Sequence, residues 1–85
     1  MGCPYKAIAD NTRRKILEYL SQGETASGDL ADKFNISKPA ISHHLKALKE
    51  ADLVSERKVR QNRLYSLNND EIASMKYFLD SLYEK

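Results

Sequence analysis

The segment Asn35-Ile36-Ser37-Lys38-Pro39-Ala40-Ile41-Ser42-His43-His44-Leu45-Lys46-Ala47-Leu48 carries a helix stop and a helix start only a turn apart. Asn35 closes one helix and Ser37 caps the next. Pro39 falls in the first turn, where a missing amide leaves no bond unmade. Ile41, Leu45 and Leu48 then recur at i, i+4 and i+7, which lines one face of a helix. The outer face is left to Lys38, Ser42, His43, Lys46 and Lys49. Two helices joined by so short a turn make a helix-turn-helix. In that unit the second helix enters the major groove of double-stranded DNA with its N-terminal residues against base edges. Small, polar and basic side chains on the outer face suit phosphates and base edges.

Upstream, Thr25 is expected to cap the first helix of that pair, which carries Ala26, Leu30, Ala31 and Phe34, with Gly28 a weak point. Asp10 and Asn11 cap an earlier helix from Thr12 to about Gln22, bearing Ile16, Leu17 and Leu20 and stopped by Gly23. Pro4 opens a short helix through Tyr5, Ala7 and Ile8.

Downstream the period changes from helical to two. Leu53 to Val59 and Arg63 to Leu67 alternate as strands around Arg60-Gln61-Asn62, a hairpin turn. Such a hairpin is a wing, and Lys58, Arg60, Gln61, Asn62 and Arg63 at its tip reach the adjacent backbone or minor groove. Asn69 or Asp70 caps a last helix in which Ile72, Met75, Leu79 and Leu82 form a stripe. Tyr77, Phe78 and Tyr83 widen that stripe beyond what one neighbour buries. The expected fold is mainly α with a β-hairpin wing, a winged helix-turn-helix in the order α-α-α-α-β-β-α. It forms a single domain over residues 1–85, with the paired helices at about 25–50 and the wing at about 53–67.

With 85 residues and 9.7 kDa, a chain buries only about 60% of its unfolded surface, so its own core is marginal and a second copy is expected to complete it. Tyr5 and Ile8 join Ile72, Met75, Phe78, Leu79 and Leu82 as the expected interface of a homodimer. Two-fold symmetry sets two recognition helices about 34 Å apart, and the operator should then be an inverted repeat. A two-lobed enzyme is excluded by length. A glycine-rich phosphate loop is absent from the sequence and the reactive groups are scattered, so no catalytic constellation is read. No apolar run approaches the roughly 18 residues of a membrane span, and Met1 to Asp10 lacks the apolar middle of a signal peptide. Membrane insertion is not expected, and the cytoplasm is the expected location.

The net charge of +2 is uneven. Residues 1–36 balance. Residues 37–63 hold Lys38, Lys46, Lys49, Arg57, Lys58, Arg60 and Arg63 against Glu50, Asp52 and Glu56, and residues 64–85 are net acidic. The positive charge therefore coincides with the recognition helix and wing.

Two stretches carry a resemblance. Asp10-Asn11-Thr12-Arg13-Arg14-Lys15-Ile16-Leu17 and the Asn35–Leu48 segment resemble the signature of the arsenical-resistance-repressor (ArsR/SmtB-type) family of winged-helix regulators. Ala51-Asp52-Leu53-Val54 and Leu64-Tyr65-Ser66-Leu67 continue the likeness, which spans roughly residues 7–67. It implies a homodimeric, DNA-binding transcriptional repressor whose first and last helices form the dimer interface. The family usually has glycine at the wing tip where this chain has Arg60. Arginine disfavours the positive φ that glycine accepts, so Asn62 is an alternative for the left-handed position.

Members of such a family often sense metals. The resemblance places one recurrent cysteine site over Thr25 to Leu30, where this chain has no thiol. It places another on the last helix, which offers Asp70, Glu71, Asp80 and Glu84 but no histidine. No metal site and no cofactor are expected. Cys3 is a lone thiol, inert or at most a redox switch shared across a dimer. An autorepressor, or a repressor released by a protein anti-repressor, fits best. An effector-responsive sensor and a winged-helix protein-interaction module are the alternatives.

Ser37, Lys38, Pro39, Ser42, His43 and Lys46 are DNA-facing candidates. His44 is a packing, phosphate-contacting or base-reading residue, and Tyr65 belongs to the core. Arg14 reaches phosphate or the protein, and Arg13 is as well suited to fixing its own helix through an acidic neighbour.

Overall fold

In the computed structural model, which describes residues 2–83, helices begin where a proline or an accepting side chain meets the orphaned amides of a first turn. Pro4 opens α1 (Pro4–Ala7). Asp10 accepts the Arg13 amide at 3.0 Å and starts α2 (Asn11–Leu20). The chain then passes through Gly23, whose φ of 146° is one that side-chain-bearing residues rarely adopt.

Thr25 does not cap a helix. With Ala26 it forms β1 (Thr25–Ala26), paired antiparallel to the wing through Thr25↔Tyr65 and Ala26↔Leu64. Its hydroxyl donates back to the Gly23 carbonyl at 3.1 Å instead of accepting a helix amide. Consequently α3 (Ser27–Phe34) starts one residue later than the cap reading expects, with Ala26 at its N-cap. A two-residue strand is too short to show a period, and its partner lies some forty residues away. The order is therefore α-α-β-α-α-β-β-α.

Ser37 caps α4 (Lys38–Glu50), its Oγ accepting the Ala40 amide at 3.2 Å. Both helices of the pair end alike. After α3, the Ile36 amide donates to the Ala31 carbonyl and the Asn35 amide to Asp32. After α4, the Leu53 amide donates to Leu48 and the Asp52 amide to Lys49. Each is a Schellman closure, and each places a short polar residue in the left-handed region, Asn35 at φ 53° and Asp52 at φ 61°. The second closure also brings Leu53 against Leu48, and both side chains are fully buried.

The wing is β2 (Val54–Val59) and β3 (Asn62–Leu67), registered from Val54↔Leu67 to Val59↔Asn62, so the sheet order is β1-β3-β2. The turn is the two residues Arg60 and Gln61, one shorter than expected. Arg60 itself takes the positive φ, at 59°, and Asn62 is strand. Pairing of Asn62 with Val59 leaves only two residues to reverse the chain, which forces the left-handed position onto Arg60.

Ile16, Leu30, Ile41, Leu45, Leu48 and Leu53 are the largest fully buried side chains, and Tyr65 joins this core as expected. Gly2 seats the N-terminus on the end of α4. Its amide donates to the Glu50 carbonyl at 3.0 Å, and a Cβ there would stand 2.9 Å from the Ala51 nitrogen.

The last helix, α5 (Asn69–Tyr83), already includes Asn69 and Asp70, both expected as caps, because the Ile72 amide donates to the Asn68 carbonyl. Only Met75 of α5 is buried, and the molecule measures 47 × 25 × 23 Å. Glu84, weighed above as an acidic side chain of this helix, lies outside the described residues.

The left-handed turn yields a test. Asn35→Gly is expected to leave stability within a few tenths of a kcal/mol, whereas Asn35→Val costs about 1–2 kcal/mol. Urea unfolding followed by circular dichroism at one fixed protein concentration measures both.

Candidate nucleic-acid interface

Because Ile41, Leu45 and Leu48 are held in the core, α4 turns Ser37, Lys38, Pro39, Ser42, His43 and Lys46 to solvent. A cleft of about 620 Å³ separates the start of α3, the first half of α4 and the wing tip. Ser27, Asp29, Lys38, Ser42, Gln61 and Asn62 are among its lining residues. A second cleft of about 420 Å³ lies between α4 and the wing strands, with Ser42 and Lys46 on one wall and Glu56, Arg63 and Tyr65 on the other. Helix and wing thus present one continuous surface, and Lys58, Arg60, Gln61 and Asn62 are exposed along its far edge.

The basic residues of this surface fall into two groups. Lys49 Nζ lies 2.6 Å from Glu56 Oε1, and Arg63 Nη1 lies 2.8 Å from Glu56 Oε2. Arg57 forms a two-pronged pair with Glu24 at 2.7 and 2.8 Å. By contrast, Lys38, Lys46, Lys58 and Arg60 have no carboxylate within ion-pair distance among the described residues. Arg63, expected at the wing's outer edge, is therefore tied into the protein.

Glu56 is the centre of the first group and was not legible as a functional residue. Its side chain is 10% exposed, and the Tyr65 hydroxyl also donates to it at 3.0 Å. The Lys49 and Arg63 hydrogen bonds, in that order, outweigh its burial and hold its carboxyl at about 2. Burial, followed by the Glu56 contact, pushes the Tyr65 hydroxyl up. Period-two alternation marks Glu56 as a strand residue. Only the register Glu56↔Tyr65 brings the cross-strand partners together.

His44 is half-buried and turned inward. Its Nδ1 accepts from Arg13 Nε at 3.2 Å, so the Asp10 carboxylate at 3.8 Å is a neighbour and not an ion-pair partner while the ring is neutral. The Arg13 amide holds Asp10 below the ordinary carboxylate value. This cluster ties the start of α2 to the middle of α4, and of the two readings weighed for Arg13 it favours the structural one. Arg14 is likewise engaged, with the Ile8 carbonyl at 2.6 Å and Asn11 at 2.5 Å.

On the far side, Tyr5 and Phe78 stack edge to face at 5.8 Å, and Phe78, Leu79 and Leu82 are each about half exposed. Ile8 and Ile72 are half-buried beside them, while Met75 is buried within its own subunit. An apolar groove of about 550 Å³ runs between α2 and α5.

The sequence pattern described as "Bacterial regulatory protein, arsR family" matches residues 10–56, from the Asp10 cap to Glu56. This chain belongs to the arsR family. It is 55% identical to the transcriptional repressor SdpR of Bacillus subtilis over 80% of this chain and 76% of that protein. It is 37% identical to the arsenical resistance operon repressor of Staphylococcus xylosus, over 88% and 72% respectively. Its fold is similar to the homodimeric winged helix-turn-helix DNA-binding domain of Mb0332 from Mycobacterium bovis. There the TM-score is 0.77 at 28% identity, over 93% of this chain and 73% of that one.

As an arsR-family regulator, the chain joins recognition helix to wing through one carboxylate, and pH tests that joint. The folded value of about 2 lies below the ordinary 4.5, so the ionised Glu56 stabilises the fold above about pH 4.5. That contribution is lost as pH falls toward 2. The stability gap between the wild type and Glu56→Gln, followed by urea midpoint, is expected to be constant from pH 7 to about 5 and to narrow below that.

Proposed function

We propose that the chain is a homodimeric, sequence-specific DNA-binding repressor that occludes promoter DNA. The observation that carries this reading is the exposed row Lys38, Ser42, His43 and Lys46 on α4, continued by Lys58 and Arg60 on the wing, with no carboxylate paired to any of these cations among the described residues. Unpaired cations on an exposed helix-and-wing surface are suited to phosphates, which supply most of the affinity. Ser42, His43 and Lys38 lie where base edges are read, each good contact worth about 1–3 kcal/mol of discrimination. Gln61 and Asn62 accompany Arg60 into the adjacent backbone or groove. A winged helix used only for protein binding has no need of such a surface. The upstream region of its own gene is the proposed operator, and the cytoplasm the proposed site of action.

Dimerisation is assigned to Tyr5, Ile8, Ile72, Phe78, Leu79 and Leu82, with Met75 supporting them from within the subunit. Half-exposed apolar side chains in this number are costly to leave in water.

Two measurements test the reading. Fluorescence anisotropy on the gene's own upstream DNA and on a scrambled duplex, at about 150 mM salt, is expected to show strong preference for the former. Lys38→Ala and Ser42→Ala relax that preference, whereas Arg60→Ala weakens both duplexes alike; a change in specificity alone for Arg60→Ala contradicts the wing placement. Sedimentation is expected to show a dimer for the wild type and a monomer for Leu79→Glu, which also loses most operator affinity.

A further inference from the structure

Glu56 stands where recognition helix and wing meet, yet a carboxylate is the wrong charge for a surface that approaches phosphate. Its two oxygens hold three donors from two elements: Lys49 near the end of α4, and Arg63 and Tyr65 on β3. Lys49 and Arg63 are themselves more than half exposed, at 57% and 59% of the side chain. Both could otherwise swing toward a bound duplex. The carboxylate also forms part of the wall of the cleft that contains Ser42 and Lys46.

We propose that Glu56 is a positioning residue for DNA recognition: it clamps Lys49 and Arg63 together, fixes the wing against α4, and withholds two cations from non-specific phosphate contact. The inference rests on the DNA-binding reading above and deepens it. Without the clamp, two flexible cations would add affinity for any duplex, and the angle between wing and helix would loosen. Discrimination between operator and other DNA would fall on both counts. Lys46, one turn earlier and without a carboxylate partner, is the phosphate-facing cation of this stretch.

Salt titrations of binding separate these roles, since each phosphate contact adds about 0.9 to the magnitude of the slope of log K against log salt. Lys46→Gln in the intact dimer, which removes one contact from each subunit, is expected to lower the slope by about 1.8, and Lys49→Gln to leave it unchanged. Glu56→Gln keeps the side chain's shape and is expected to steepen the slope by up to about 3.6, the combined effect of two cations released in each subunit. It should raise affinity for the scrambled duplex severalfold and reduce the operator-to-scrambled ratio. Adding Lys49→Gln to Glu56→Gln should then remove about 1.8 of that slope, a coupling absent from the single variant. Lys49→Gln lowering the wild-type slope as much as Lys46→Gln overturns the proposal, whatever the stability of the Glu56 variant. Equal losses on both duplexes by a folded Glu56→Gln, with an unchanged slope, also overturn it. A flat salt dependence of the wild type rejects the DNA reading and this role with it, whereas a steep one leaves the Lys49 comparison to decide.

Discussion

The rotation of α4 about its own axis is set by Ile41, Leu45 and Leu48, each 1% exposed or less. They pack with Leu30 of α3, Ile16 of α2 and Leu53 before the wing. A helix with three fully buried positions on one face has no freedom to present another, because close-packed interiors admit few alternative arrangements. Everything exposed on the opposite face follows from that constraint. Lys38, Ser42, His43 and Lys46 face outward because their neighbours at helical spacing cannot.

Two left-handed residues translate this packing into chain direction. Asn35 lets α3 stop and α4 start within a few residues, and Asp52 returns the chain from α4 into the wing. Both are short polar side chains, which tolerate that backbone better than others do. Leu53, carried by the second closure, ties the change of direction to the core. The orientation of recognition helix and wing is thus a property of the interior, and Glu56 adds a polar lock at the surface.

Charge and apolar area are distributed unequally over the molecule. One side carries the helix-and-wing cations. The other carries α5, of which only Met75 is buried. A small domain has little core from which to draw stability, and a helix with one buried residue leaves an apolar face open, which is where the proposed dimer contact falls. If the proposed dimer forms through this face, it also sets the spacing of the two recognition helices, and stability and DNA geometry are then linked through α5.

The helix pair, the wing and the α5 stripe were legible from residues 35–48, 53–67 and 69–83, because period, caps and turn residues are local signals. The outward row on α4 was equally legible, since three apolar positions determine the remaining face. The strand β1 was not, because two residues have no period and its partner Tyr65 is distant. Nor did the spacing of residues separate free from engaged cations: Lys46 and Lys49 read alike in the chain, yet one is open and the other is bound to Glu56. Arg13 and His44 likewise meet across 31 positions. Local order determined which residues could face DNA. Tertiary pairing decided which of them are free to do so, because an ion pair depends on distances that folding alone creates.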